Sequence, residues 1–376
     1  MTATIDYPII SGDSHFVEPP TMWAERIEAK FRDRAPRSLP GKDGGHYFVC
    51  EDIPREYVWV TSWFAAGKKS EELPEHFKKG WEAAPRSLQD PAERLKEQER
   101  DGVAAEVLYS TGGIYLYAVK DRELVMAAAR AFNGWAAEYC SHARDRLLGV
   151  GIVILDDVPA AVKELERIAK LGLRGVMVPT TPLDDHPYSL PEYDSFWAAV
   201  QDHGLVVSMH AAAARAGVIL SQKSQAIKRY LGIANAIQSA LADVVVGGVF
   251  DRFPKLKIVS VEHDVAWFPH FLYRLDHGYE RFRHLQGTAL EMRPSDYLKK
   301  NVAATFQYDE GEGNIEFVRR SLGTQSMLWS SDYPHNDSTW PHSRDVIDQL
   351  AASIPPADLR KILNENVSRL YGIRLH

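Results

Sequence analysis

An aspartate and a histidine two positions apart, Asp13 and His15, break an apolar run near the start of the chain, Tyr7-Pro8-Ile9-Ile10 followed by Ser11-Gly12-Asp13-Ser14-His15. In a strand, side chains two apart share a face, so a carboxylate and an imidazole would enter one space. Two ligands of one metal ion need that placement. Read alone, Asp13 also suits the cap of a turn, so partners must come from elsewhere. Three more apolar runs end in groups of the same kind: 205–210 in His210, 257–263 in Glu262 and His263, and 327–332 in Asp332. Imidazoles suit zinc, and the mixed set with carboxylates also takes manganese or another divalent ion.

The elements that must position these groups follow a regular alternation. Strand-like runs lie at 7–16, 103–110, 147–154, 175–179, 205–210, 257–263, 301–306 and 327–332. Helical patterns separate most of them. Asp90 followed by Pro91 reads as a helix start and Gly102 as its end. An Ala-rich helix is predicted over 121–143. Val158, Val162, Leu165, Ile168 and Leu171 fall on one helical face that Gly172 closes. Another helix runs from Pro191 to Gly204, and two amphipathic helices are expected near 343–352 and 357–371.

Eight strands alternating with helices predict an α/β fold, a (β/α)8 TIM barrel. A doubly wound open sheet is the alternative, but it does not explain polar groups gathered at the ends of the first, fifth, sixth and eighth strands. In a barrel these ends surround one axis on one face. We read residues 1–376 as a single barrel domain, with 20–90 inserted after the first strand as a cap. That insertion holds Trp23, Tyr47, Tyr57, Trp59, Trp63 and further aromatics among Gly and Pro breakers. It is expected to form short helices and a hairpin, packing outside the barrel or roofing its pocket.

Bulk properties exclude other classes. The chain has 376 residues, 45% hydrophobic and 25% charged, with a formal net charge of −7. An acidic balance argues against nucleic acid as a partner. No run is apolar enough to span a bilayer, and the first residues lack the basic and apolar regions of a secretion signal. A cytoplasmic protein without membrane contact is expected. Cys50 and Cys140 form no metal-binding or disulfide pattern. The glycines of 147–154 do not make a dinucleotide fingerprint.

Taken together, Gly12-Asp13-Ser14-His15 with Glu18-Pro19, the His210 run, Glu262-His263-Asp264-Val265-Ala266-Trp267-Phe268-Pro269 and Ser331-Asp332-Tyr333-Pro334-His335 resemble the amidohydrolase-related family. The resemblance is to the branch that holds aminocarboxymuconate semialdehyde and γ-resorcylate decarboxylases. It implies that Asp13, His15, His210 and Asp332 bind the metal, that Asp332 also handles protons, and that His263 lies beside the substrate. The first-strand pair in that branch is often His-x-His or Glu-x-His, so Asp13 is a departure. The run 175–179 offers no Lys or Glu to bridge two ions, so one divalent ion is expected, zinc or alternatively manganese.

The implied activity is non-oxidative decarboxylation of an aromatic or unsaturated carboxylic acid. Hydrolysis of an ester, thioester, lactone or amide is the alternative, and a catalytically silent ligand-binding barrel the third reading. The partner is a small-molecule substrate, and relatives suggest a homo-oligomer. Glu18 reads as a helix cap or a group reaching the site. Glu262, next to His263, should face away from the metal on a regular strand. His335 and Arg174 read as turn and strand-start residues.

Overall fold

The computed structural model describes residues 5–375 except 43, 54–57, 184–185, 216–224, 288, 310 and 312. Tyr57 and the first four residues therefore lie outside the described residues. The strands are β1 (Ile10–Phe16), β2 (Arg37–Pro40), β3 (His46–Val49), β4 (Val58–Trp59), β5 (Ala105–Ser110), β6 (Leu147–Ile152), β7 (Gly175–Val178), β8 (Val206–His210), β9 (Ile258–Val261), β10 (Val302–Phe306) and β11 (Met327–Trp329).

β1 and β5 to β11 form one sheet in chain order, each pair parallel. Every residue of these eight strands is buried. Helices cover the outer face and side chains fill the inner one, which is why the runs read as continuously apolar. The ends of the sheet meet: Asp332 N donates to Asp13 O at 2.9 Å and His15 N to Tyr333 O at 2.8 Å. The expected (β/α)8 barrel is borne out. Gly12 permits the close approach, since a Cβ there would lie 3.1 Å from Leu328 Cβ and 3.3 Å from Trp329 O.

The helices follow their local signals. Asp90 caps the helix Pro91–Asp101 by accepting from Ala92 N at 2.9 Å, and Gly102 closes it at φ 74°. The expected helix over 357–371 is divided into Pro356–Arg360, a wider turn Lys361–Glu365 and Asn366–Tyr371. Asn366 there spends its amide on the carbonyls of Thr324 and Met327. Two of the strands that carry site residues end earlier than their apolar runs. β9 stops at Val261 and β11 at Trp329 because Glu262, Asp264 and Asp332 have φ of 58–59°, in the left-handed region. Ala212, just past β8, has φ 62°.

Within 20–90, β2, β3 and β4 form a small antiparallel sheet. Aromatic pairs hold it, among them Tyr47–Trp59 at 4.6 Å, Phe48–Trp63 at 5.4 Å and Phe64–Trp81 at 5.4 Å between ring centroids. Trp23 Nε1 ties the segment to Ala128 O at 3.2 Å, and Ala66 N donates to Pro334 O at 3.0 Å.

One buried ion pair links four elements. Arg94 meets Glu106 through Nε–Oε2 at 2.8 Å and Nη2–Oε1 at 3.0 Å. It also donates to His15 O at 2.9 Å and Tyr333 O at 3.1 Å. Removing one member of a buried pair strands the other charge, at a cost of about 3–5 kcal/mol. Arg94→Met is therefore expected to lower thermal and urea stability by that amount, with Glu106→Gln in the same chain restoring part of it. An unchanged melting midpoint for Arg94→Met would refute the linking role.

Candidate metal centre

Strand ends deliver the donors. Asp13 and His15 come from β1, where the pairing with β5 shifts register between Ser11 and Ser14. Such a bulge re-aims side chains at a rim. His210 ends β8, and Asp332 lies just past β11. All four are buried, none more than 2% exposed. His15 Nε2 lies 3.2 Å from His210 Nε2, 3.5 Å from Asp13 Oδ1 and 3.3 Å from Asp332 Oδ1. His210 Nε2 lies 3.6 Å from Asp13 Oδ1. Donor atoms of Asp13, His15, His210 and Glu262 fall within 4.8 Å of one another, as do those of His15, Asp332 and His335. The four sequence-predicted ligands are thus gathered, joined by Glu262 and His335.

Hydrogen bonding shows that the outward-facing ring nitrogens carry protons. Thr111 Oγ1 donates its one hydrogen to Phe16 O at 2.6 Å. It must then accept from both His15 Nδ1 at 3.1 Å and His335 Nε2 at 3.2 Å. His210 Nδ1 faces Ala211 O at 2.8 Å, an acceptor only, so it also donates. Neutral His15 is left with a bare lone pair at Nε2, aimed at His210 Nε2, whose proton, when His210 is charged, faces Asp13 Oδ1. Asp13 Oδ1 and Asp332 Oδ1 are buried and have no hydrogen-bond partner. The lone pairs of His15 Nε2, Asp13 Oδ1 and Asp332 Oδ1 crowd together and repel unless a proton, as on His210, or a metal cation lies between them. Ligands bound to one ion at about 2.1 Å stand about 3.0–3.4 Å apart, close to the separations seen. The residues present fit a divalent ion.

The electrostatics agree. Burial alone would lower His210, but the facing Asp13 carboxylate, with Glu262 behind it, outweighs that and pushes it up to about 9. His15 is pushed well down by burial, then by His335 and His210. Asp332 is pushed well up by burial and by the charge of Asp13. A dication reverses this logic, because it turns repelling carboxylates into ligands.

The neighbouring groups divide into three kinds. His263 is buried, with Nδ1 3.2 Å from Ser260 Oγ and an Nε2 that has no partner. Burial, and then His210, hold it down to about 3, so it is neutral. It belongs to neither donor group. Glu262 departs from expectation: its left-handed backbone ends the strand alternation, and Oε2 comes 3.5 Å from His210 Nδ1. His335 also does more than hold a turn, with Nδ1 3.0 Å from Asp332 Oδ1 and its ring 3.9 Å from that of His15. Glu18 neither caps a helix nor joins the donors. It accepts from the Ser110 hydroxyl and from Gly112 N at 2.9 Å, which shapes the turn after β5.

Thr111 was not found from sequence. Its only signal is its place, one residue beyond the end of a barrel strand, and threonine is not a residue type one searches for there. A cavity of about 180 Å³ opens beside Asp332, Glu262 and His335, with Trp63 of the inserted segment and Tyr115 among its walls. The two rings stack at 6.4 Å and 21°.

Comparison with known proteins bears on this arrangement. An amidohydrolase family model matches residues 53–373. The chain is 25% identical over 254 residues to 2-amino-3-carboxymuconate-6-semialdehyde decarboxylase of Dictyostelium discoideum, covering 65% of this chain and 67% of that one. It is 24% identical over 306 residues to γ-resorcylate decarboxylase of Polaromonas sp., covering 78% and 91%. Among solved structures it is similar to a dihydroxybenzoic acid decarboxylase from Polaromonas sp. with bound manganese and 2-nitroresorcinol. That similarity has a TM-score of 0.68 at 19% identity and covers 97% of both chains; at such identity it bears on the fold.

Two outcomes follow from the donor geometry. Metal must displace the proton that His210 holds up to about pH 9, so affinity is expected to rise about ten-fold per pH unit below that value. Competition with a chelator between pH 6 and 9 measures it, and a flat profile would contradict the assignment. Thr111→Val should weaken metal binding about 10–100-fold by releasing His15 from its tautomer. Thr111→Ser should restore it.

Proposed function

The chain belongs to the amidohydrolase family, and from that premise we propose that it is a metal-dependent, non-oxidative decarboxylase of an aromatic or unsaturated carboxylic acid. The observation that carries this is the set of converging donor atoms on Asp13, His15, His210 and Asp332 beside a cavity walled by Trp63 and Tyr115. The names of the decarboxylase relatives support the same reaction class.

Asp13, His15, His210 and Asp332 would hold one divalent ion. Zinc suits the imidazoles, and the carboxylates suit manganese, which the Polaromonas structure contains. When bound, the ion supplies a Lewis acid and a template for the substrate carboxylate and a neighbouring oxygen. Asp332 delivers a proton to the carbon that bears the carboxylate. The bond to the carboxylate carbon then breaks, its electron pair returns to the carbon framework, and carbon dioxide leaves. His335, 3.0 Å from Asp332 Oδ1 and partly exposed, returns the proton from solvent. His263 is neutral and its Nε2 is unengaged, so it can hold the substrate carboxylate in place. Trp63 and Tyr115 exclude water from one side of the cavity.

Hydrolysis of an ester, thioester, lactone or amide is the second reading, since Asp332 can also accept a proton. The two are separated by incubating metal-loaded protein with hydroxybenzoates and with generic esters. Carbon dioxide release from the acids is expected. Ester cleavage without it would decide for the hydrolase. Asp332→Asn is expected to reduce turnover about 10²–10⁴-fold, measured as initial rate with metal content verified.

A further inference from the structure

The cavity beside the centre carries its charge unevenly. Glu262 and Asp337 line it together with Asp332, while Trp63, Tyr115 and Ile114 supply neutral walls. Asp332, one of the residues that would hold the ion, lies at the inner end, so a ligand in the cavity would reach the ion there. A narrower cleft on the far side of Glu262 adds Asp264 and again Asp337. No Lys or Arg lines either space among the described residues. Two arginines of neighbouring elements are engaged elsewhere: Arg94 is closed onto Glu106 and two carbonyls, and Arg215 is paired with Asp156. Asp337 and Asp264 lie close enough that, after burial, the charge of Asp337 helps to raise the Asp264 carboxyl.

A dication held by Asp13 and Asp332 is matched by those two carboxylates. Asp337 then remains without a counter-charge among the described residues at the outer part of the cavity, and Glu262 adds a second carboxyl to its lining. One substrate carboxylate can be satisfied at the ion. A second, further out, would meet like charge in a confined space with no cation among the described residues to pair with. Rejection by an introduced repulsion is a recognised route to specificity. We propose that Asp337, with Glu262, makes this cavity selective for monocarboxylates: the substrate carries one carboxylate, at the ion, and the rest of it is an uncharged unsaturated ring or chain seated against Trp63 and Tyr115. This rests on the decarboxylase reading for the chemistry but not for the binding preference.

Asp337 is exposed at the rim, so its influence is screened by salt. That gives a readout a purely steric effect would not show. The test is calorimetric titration of the metal-loaded protein with 2-hydroxybenzoate and with 2-hydroxybenzene-1,3-dicarboxylate, at low and high salt. The monocarboxylate is expected to bind at least ten-fold more tightly at low salt. The gap should narrow at high salt and in Asp337→Asn, and close or reverse in Asp337→Lys. Asn336→Lys places a cation on the same rim without altering Asp337 and should narrow it as well. Equal or tighter binding of the dicarboxylate by the unaltered protein overturns the inference. So does a gap that none of the variants moves, or binding of neither acid. Preserved selectivity without carbon dioxide release would instead sink the decarboxylase reading and leave this one standing.

Discussion

Two backbone hydrogen bonds between the ends of the barrel hold the centre together. Asp332 N reaches Asp13 O and His15 N reaches Tyr333 O. They join residues more than three hundred positions apart, and they place the carboxylate of the last strand against the imidazole of the first. Each contributes about 1 kcal/mol, so neither is strong by itself. Their effect is geometric: without them Asp332 has no reason to lie 3.3 Å from His15. Arg94 braces the same seam from outside by bonding the carbonyls of His15 and Tyr333, and Gly12 leaves room for the strands to meet.

The mouth of the barrel is where the chain accepts local strain. Ala212, Glu262, Asp264 and Asp332 all have left-handed backbones. Each such residue costs about 1–2 kcal/mol relative to an ordinary conformation. They cluster just past β8, β9 and β11, where the strands must stop and turn their last side chains towards the axis. Strain of this kind persists only where the surrounding structure over-determines it. Here the packing of eight buried strands does so. The consequence is chemical, since Glu262 and Asp332 come to face the donors instead of following the strand alternation.

The protonation pattern follows from the same packing. Thr111 has one hydrogen and gives it to Phe16 O, which obliges two histidines to spend their own hydrogens on Thr111. Ala211 O does the same for His210. One hydroxyl and one carbonyl therefore fix the outer ring hydrogens, leaving the inward nitrogen of His15 a lone pair and that of His210 a proton that a cation can displace. The centre is arranged for a cation by groups that never touch one, as outer partners of metal ligands commonly are.

The sequence by itself determined the elements and the identity of the central donors. Apolar runs separated by capped helices, as at Asp90-Pro91 to Gly102, specify eight strands through side-chain periodicity and cap chemistry, which are local properties. The strand-end positions of Asp13, His15, His210 and Asp332 were legible for the same reason. The resemblance to the amidohydrolase family is matched by the family comparison, whose span of 53–373 takes in His210 and Asp332. What only the tertiary structure decided concerns direction. Glu262 was expected to face away, and it turns inwards because its φ is 59°. His335 and Thr111 gained their roles because chain closure brings β1, β5 and the turn after β11 within 3.2 Å of each other's polar atoms. Backbone handedness at a strand end and contacts across hundreds of residues leave no periodic trace in a sequence, because they are set by how the whole barrel packs and closes.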